Sequence, residues 1–432
     1  MPNQFQISVF KDLTEKYSNW EDLRKYLESE EGGLFRVVDT DESGNCLIRY
    51  EKGTTNMSLP HSKWFRSVVW NIEKNRPVSV APPKASSDEQ PFESLKSLSD
   101  ENVVCQELID GFMINCFRVA GDEKLYITSR SKMDAAGKFY SQKTFRELFT
   151  EAFMNTSESP FYSETIIQDN SKDVTGPDSS KGEVSIFYSF VVQHTEHRIV
   201  SRIEKNRVYI VHRGVVYEDG RVEIDDCPQP GHHFVSIPSI SLENKPAKVS
   251  YAQATVEGAE NEVQKWVKST LQEKDWQFNG IVLKDSVGNR WRFRSEKYGA
   301  VKTLRGNSPT VRERFCQLFS QNLLHKYLEY YNEDGREMSV LMILMNVIID
   351  TLYREYVELH ITKAKKAEQI DKMYLPHLYS IHGIYLSQLR TEHKKIDRGQ
   401  IALYLHKQPW QRISFLIKKS IDKMNETPTT DA

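Results

Sequence analysis

The chain has 432 residues, enough for two or three domains with separate cores. Its 39% hydrophobic and 27% charged residues are the balance of an ordinary globular protein, not of a disordered chain. A formal net charge of -2 excludes a global attraction for nucleic acid, so a polyanion site has to be a local patch. Five scattered cysteines (Cys46, Cys105, Cys116, Cys227 and Cys316) form no C-x-x-C pair and point to a reducing, cytoplasmic setting. The segment from Met1 to Asp12 lacks a signal-peptide layout. Residues 340–349, the most apolar stretch, are too few to span a bilayer and are interrupted by Asn346, so no membrane role is expected.

Strands are expected at residues 34–38 and 47–50, then at 103–109, 113–118, 184–192, 207–211 and 280–283. These are mostly β-branched or aromatic runs bounded by turn residues. Residues 82–100 and 157–182 read as loops rich in Ser, Pro, Gly and acids. Helices are expected at 142–153, with a dense Phe/Leu face, and at 259–273. After Arg305 the pattern becomes helical, over 310–331, 337–361, 375–393 and 399–424, with Ser308-Pro309 as the helix start. The expected class is α+β: antiparallel sheets with flanking helices over residues 1–306, then an all-helical domain over 307–432. No internal repeat is evident.

Asp110-Gly111, between two apolar strands, reads by itself as a hairpin turn. Its neighbours give it another meaning. Upstream stand Trp64-Phe65-Arg66-Ser67-Val68-Val69-Trp70, Asn75-Arg76-Pro77-Val78 and Ala81-Pro82-Pro83-Lys84. Downstream come Ile127-Thr128-Ser129-Arg130-Ser131, then Phe187-Tyr188-Ser189-Phe190-Val191-Val192 with His197-Arg198-Ile199-Val200. Phe278-Asn279-Gly280-Ile281-Val282-Leu283-Lys284-Asp285 and Trp291-Arg292-Phe293-Arg294-Ser295 with Tyr298 complete the series. In this order the segments resemble the motifs of RNA ligases of the phage tRNA-repair type, in the covalent nucleotidyltransferase superfamily. The resemblance spans about residues 30 to 305 and, more loosely, the helical tail. It implies a ligase-like nucleotidyltransferase domain followed by a helical domain, with ATP and Mg2+ as cofactors if activity is kept. It also implies RNA as partner, tRNA or another structured RNA.

The departures fall on the chemical positions. The family's Lys-x-Asp-Gly motif has Leu108 in place of the lysine, whose amine attacks the α-phosphate; a Leu side chain has no lone pair to offer. Strand alternation would point Leu108 and Asp110 together into the nucleotide pocket. A one-residue bulge would bring round Glu107, whose carboxylate repels phosphate. Ser189 and Asn279 stand for two carboxylates, and a neutral oxygen holds a divalent cation less strongly than a charged one. Arg292 and Arg294 replace two phosphate-binding lysines but keep the charge and add a planar fork of donors.

By this resemblance Lys84, Arg130, Arg198, Lys284, Arg292 and Arg294 hold nucleotide phosphates, and Asp110 orients a ribose or shapes the turn. Lys84 is the first candidate for a relocated nucleophile, ahead of Lys132 and Lys284. Arg290, Trp291, Lys297, Tyr298, Lys302 and Arg305 combine cations and aromatics in the manner of an RNA surface. A second run, Arg198, Arg202, Lys205, Arg207 and Arg213 with Tyr209 and His212, is the weaker of the two. The alternative for each run is a solvated strand face whose arginines pair with local acids. His194, His197, His232 and His233 have no zinc-spaced partners and read as turn or surface residues, so no metal ligand is assigned. Lys363-Ala364-Lys365-Lys366 reads as a solvated helix face, with RNA contact as the sharper option.

Three functions stay open. One is RNA or nucleotide binding without the covalent intermediate, which the joint loss of the lysine and two carboxylates favours. The others are an RNA ligase with a relocated lysine and a protein-interaction scaffold on the same fold.

Overall fold

The computed structural model describes residues 4–87, 103–154, 174–231, 234–240 and 262–426. His232, His233 and most of both expected loops lie outside the described residues. The chain forms two compact units, Met1–Gly299 and Ala300–Ala432.

The first unit opens with β1 (Gln4–Ile7) and two short amphipathic helices, α1 (Val9–Lys16) and α2 (Trp20–Glu28), which the sequence pattern did not announce. Asn19 caps α2 by accepting the Asp22 N–H at 3.0 Å. Strands β2 (Arg36–Thr40), β3 (Asn45–Arg49), β4 (Val68–Asn71) and β5 (Arg76–Val80) form an antiparallel sheet in chain order. Then come β6 (Ser86–Ser87), β7 (Val104–Glu107), β8 (Phe112–Val119), β9 (Tyr126–Ser129) and α3 (Phe145–Met154). They are followed by β10 (Glu183–Gln193), β11 (Arg207–Tyr217), β12 (Val222–Asp225), β13 (Val235–Ser236) and α4 (Glu262–Gln272). The hairpin β14 (Gly280–Lys284) and β15 (Arg290–Arg294) closes the strand series.

The largest sheet runs β1-β12-β11-β10-β8-β9, with β13 parallel to β11, and a second runs β6-β15-β14-β7. Strand β10 is buried on both faces. Ile186, Tyr188, Phe190 and Val192 pack on Leu148, Phe149, Ala152 and Phe153 of α3, whose spacing makes one helical stripe, while Phe187 joins the core under the first two helices. Covering a Phe in this way contributes about 1.5–3 kcal/mol.

Asp110-Gly111 is not a hairpin turn: β7 and β8, on either side of it, belong to different sheets. The segment is a crossing between sheets. Gly111 is required there because a Cβ would come within 2.4 Å of the Val192 carbonyl oxygen.

In the second unit, α5 (Glu296–Arg305) enters from the first and α6 (Val311–Gln321) begins after Thr310, whose hydroxyl accepts the Glu313 N–H at 3.2 Å. Thr310, rather than Ser308, is therefore the cap. The expected single helix over 310–331 is two, α6 and α7 (Leu324–Tyr330), because Asn322 turns left-handed at φ 55°. Next are α8 (Gly335–Tyr356) and α9 (Leu375–Ile384), each running on into a π turn, then α10 (Arg398–His406) and α11 (Trp410–Glu426). Pro409 stands between the last two and splits the helix expected over 399–424. Among the described residues no helix is long and apolar enough to cross a membrane.

Candidate functional site

Strand β7 stops at Glu107, so Leu108 to Asp110 leave the extended pattern that would aim both side chains into one pocket. The Leu108 N–H still reaches the Gly280 carbonyl at 2.8 Å. Asp110 is buried and fully engaged. Its Oδ2 accepts the N–H groups of Val200 at 3.0 Å and Ser201 at 2.8 Å, and its Oδ1 accepts the Tyr298 hydroxyl at 2.7 Å. These bonds tie the sheet crossing to the 198–201 loop and to the start of α5. Both carboxylate oxygens of Asp110 thus hold the backbone crossing between the sheets.

The β14–β15 hairpin sorts its side chains by alternation. Ile281, Leu283, Trp291 and Phe293 share an apolar layer with Val103 and Cys105. Arg290, Arg292 and Arg294 therefore share the other face. On that face Lys284, 2% exposed, donates to the Asp226 carbonyl oxygen at 2.8 Å, and Arg290 pairs with the Asp226 carboxylate. Burial lowers the Lys284 pKa against the pull of Asp226. Both cations are thereby committed inside the protein. Arg294 donates to Asn279 Oδ1 at 3.2 Å, so Asn279 holds a guanidinium.

A second group of cations is differently placed. Arg49 closes β3, Arg66 lies in the turn before β4, Arg130 follows β9, and Arg292 reaches the same neighbourhood from β15. The Arg130 guanidinium lies 4.8 Å over the Tyr50 ring, and the Lys84 ammonium lies 5.6 Å from it. Arg66 is pushed down to about 10, first by burial and then by Arg130, Arg290 and Arg292, with Tyr50 acting the other way. Burial and Arg130 lower Arg49 as well. The buried Nε–H groups of Arg49 and Arg130 have no hydrogen-bond acceptor among the described residues. No described carboxylate lies within ion-pair distance of Arg49, Arg66, Arg130 or Lys84. Lys84 also borders a recess of about 210 Å³ lined by Lys63, Ser86, Asn289 and Arg290. Charges of one sign gathered in this way repel each other until an anion enters.

Other expected contacts are given different work. Trp291 and Tyr298 are buried, one in the apolar layer and one on Asp110, so neither presents a ring for base stacking. Lys297 donates to the Gln272 and Lys274 carbonyl oxygens at 2.9 Å and so closes the end of α4. Arg305 pairs with Asp334 at 3.0 Å inside the second unit, where Lys302 is half-buried on α5. Arg198 lies with Arg202 about the Trp276 ring, at 5.9 and 5.8 Å, on the loop that Asp110 anchors. Lys132 lies 4.0 Å from Asp39. In the weaker basic run, Tyr209 and His212 are core residues. In the second unit residues 363–366 lie outside any helix, so the expected helix face does not form; Lys365 instead pairs with the buried Glu355 at 3.0 Å and with Glu358 at 2.7 Å.

Sequence reasoning missed Arg49, Tyr50 and Trp276 as site candidates, and assigned no role to Arg66. Arg66 stood inside a quoted motif and was recoverable. Arg49 and Tyr50 carry no signal except their position at the end of a strand.

Two other constellations have the residue types of catalytic centres. Ser189 Oγ is 3.1 Å from His212 Nε2, and His212 Nδ1 is 4.0 Å from Asp226 Oδ1. All three are buried, and the Nε2 also meets the Val80 carbonyl oxygen at 2.9 Å, which requires that nitrogen to carry the proton. It therefore cannot take one from Ser189. Glu151, His194 and Glu196 converge as metal-type ligands, yet Lys143 bridges the two carboxylates at 2.9 and 2.7 Å and supplies the cation. His194 and His197 are buried, not surface, residues.

No family model matches the chain, and no curated protein matches it. Among solved structures, an archaeal ATP-dependent RNA ligase (form 1) aligns over 76% of this chain and 77% of that chain, at 9% identity and a TM-score of 0.30. At that TM-score the likeness carries no argument.

Proposed function

We propose that this protein is RNA-ligase-like and binds the phosphates of an RNA or nucleotide without forming a lysyl-nucleotide. The observation that carries this reading is the group of Arg49, Arg66 and Arg130 around Tyr50, with Lys84 beside it and no described carboxylate to neutralise it. Planar guanidiniums with unused N–H donors suit phosphate oxygens, and the Tyr50 ring orients two of the cations. Arg66, Arg130 and Arg292 come from three segments of the ligase-like motif series, which supports the sequence reading of a polyanion site. Leu108 leaves the motif without its nucleophile, while Ser189 and Asn279 are spent on internal hydrogen bonds.

A second reading keeps ligase activity, with Lys84 attacking the α-phosphate, ATP as donor and Mg2+ as the metal. It is favoured by the exposure of Lys84 beside the same arginines. Incubation with α-labelled ATP or GTP and Mg2+, read on a denaturing gel beside a positive-control ligase, separates the two. The expected result is no label. A label that vanishes in Lys84→Ala establishes the second reading instead.

RNA binding is tested by fluorescence anisotropy with 5′-phosphorylated RNA over a salt series. Salt-sensitive binding that weakens in Arg66→Ala and Arg130→Ala is expected. Equal affinity in these variants and the parent protein would overturn the proposal. No measurable RNA or nucleotide binding would leave a scaffold on this fold as the better account.

A further inference from the structure

Helix α8 is apolar on two sides. Met338, Leu341, Met345, Ile348 and Leu352 form the side packed into the second unit. Val340, Ile343 and Val347 lie on the other, 60%, 64% and 45% exposed. Spacings of three and four residues place these three on one stripe, with Arg336 at one end and Asp350 at the other. A helix that is apolar all round in its middle is ordinarily covered on both sides. Single exposed apolar residues need no explanation, but three β-branched ones in line form a patch.

The charges identify what covers it. Arg336 and Asp350 are each seven residues from Ile343, about 10.5 Å along the axis in either direction. The stripe is thus nearly symmetric in apolar character about Ile343, with Val340 three residues before it and Val347 four after, and it carries opposite charges at its two ends. A second identical stripe laid antiparallel across it puts Arg336 of each copy beside Asp350 of the other, twice. Laid parallel, it puts like charges together. Arg336 is exposed and has no ion pair among the described residues. Asp350 bonds Arg398 at 2.5 Å, yet its side chain stays 61% exposed and has oxygen to share.

We propose that the chain self-associates through α8 as a two-fold antiparallel dimer centred on Ile343. The contact is isologous: each copy contributes the same patch, as a closed dimer requires. A single stripe is small for an obligate interface, so the dimer forms and dissociates with protein concentration. This inference does not depend on the phosphate-site reading.

Sedimentation equilibrium of the full chain over a concentration series tests it. The expected result is a monomer–dimer equilibrium, abolished in Ile343→Asp with the circular dichroism and thermal midpoint of the parent, since that side chain is exposed. The decisive arm uses charge. Arg336→Asp alone and Asp350→Arg alone are expected to be monomers, because each homodimer would set like charges together. Mixed in equal amounts they should form a heterodimer, with both pairs opposite. A parent chain that stays monomeric throughout, a dimer that survives Ile343→Asp, or single variants that fail to pair on mixing would each overturn the proposal.

Discussion

The Asp110 sheet crossing and the arginine cluster around Tyr50 are built in opposite ways. Each Asp110 carboxylate oxygen accepts an internal donor. In the arginine cluster, the buried Nε–H groups of Arg49 and Arg130 have no described acceptor and cations face cations. A polar group satisfied from within serves the fold, while a buried one left unsatisfied calls for an explanation from outside. On the proposed reading, the contrast separates groups that serve the fold from groups that would meet a ligand. Substitutions in the two places should therefore have opposite signatures.

The largest effect is expected at Asp110. Asp110→Ala strands two amides and a hydroxyl; at roughly 1–3 kcal/mol for each unsatisfied group, the loss should be at least about 3 kcal/mol in urea unfolding. RNA affinity of the remaining folded protein should be unchanged. A drop in affinity without a drop in stability would reverse the assignment of the two regions.

Next comes the arginine cluster. The double variant Arg66→Ala, Arg130→Ala should lose about 100-fold in affinity for phosphorylated RNA, two charge-assisted contacts at about 1.4 kcal/mol each. Its thermal midpoint should hold or rise, because like charges have been removed. Calorimetry beside anisotropy checks both halves of that expectation.

A pH series sharpens the comparison from the buried side. Burial, then Arg290 and Lys284, hold the His212 pKa well below its ordinary value. Below about pH 6.5 the unfolded chain takes up a proton that the folded chain refuses, so stability falls by at most about 1.4 kcal/mol per pH unit for that group. His61 and His194, also lowered by burial, act with the same sign. The thermal midpoint should fall from pH 7 to pH 5, and His212→Asn should flatten part of that slope.

The smallest effect is expected at Arg198, which shares the Trp276 ring with Arg202. Arg198→Ala should change RNA affinity by no more than about threefold, a partly exposed charge contributing on the order of 0.5 kcal/mol. Titration at low salt is the sensitive check.

Much of the scaffold could be read from residue order. The period-two runs at β8, β10 and β14 and the Phe/Leu face of α3 lie at the expected places, because alternation and helical spacing are local properties. Helices α1 and α2 were missed because runs of eight and nine residues give a weak periodic signal. The split at Asn322 was missed because a single left-handed residue leaves little trace in composition.

For the site, the sequence by itself determined that Leu108 cannot act as the nucleophile and that arginines stand where phosphate-binding lysines were expected. Tertiary structure decided which cations are available. Lys284 and Arg290 look like Arg66 and Arg130 in sequence, yet Asp226 claims the first two and no described carboxylate claims the others. Asp226 is 58 residues from Lys284 and 64 from Arg290. Charge is fixed by residue type, but whether a charge is neutralised depends on what the fold brings within a few ångströms of it.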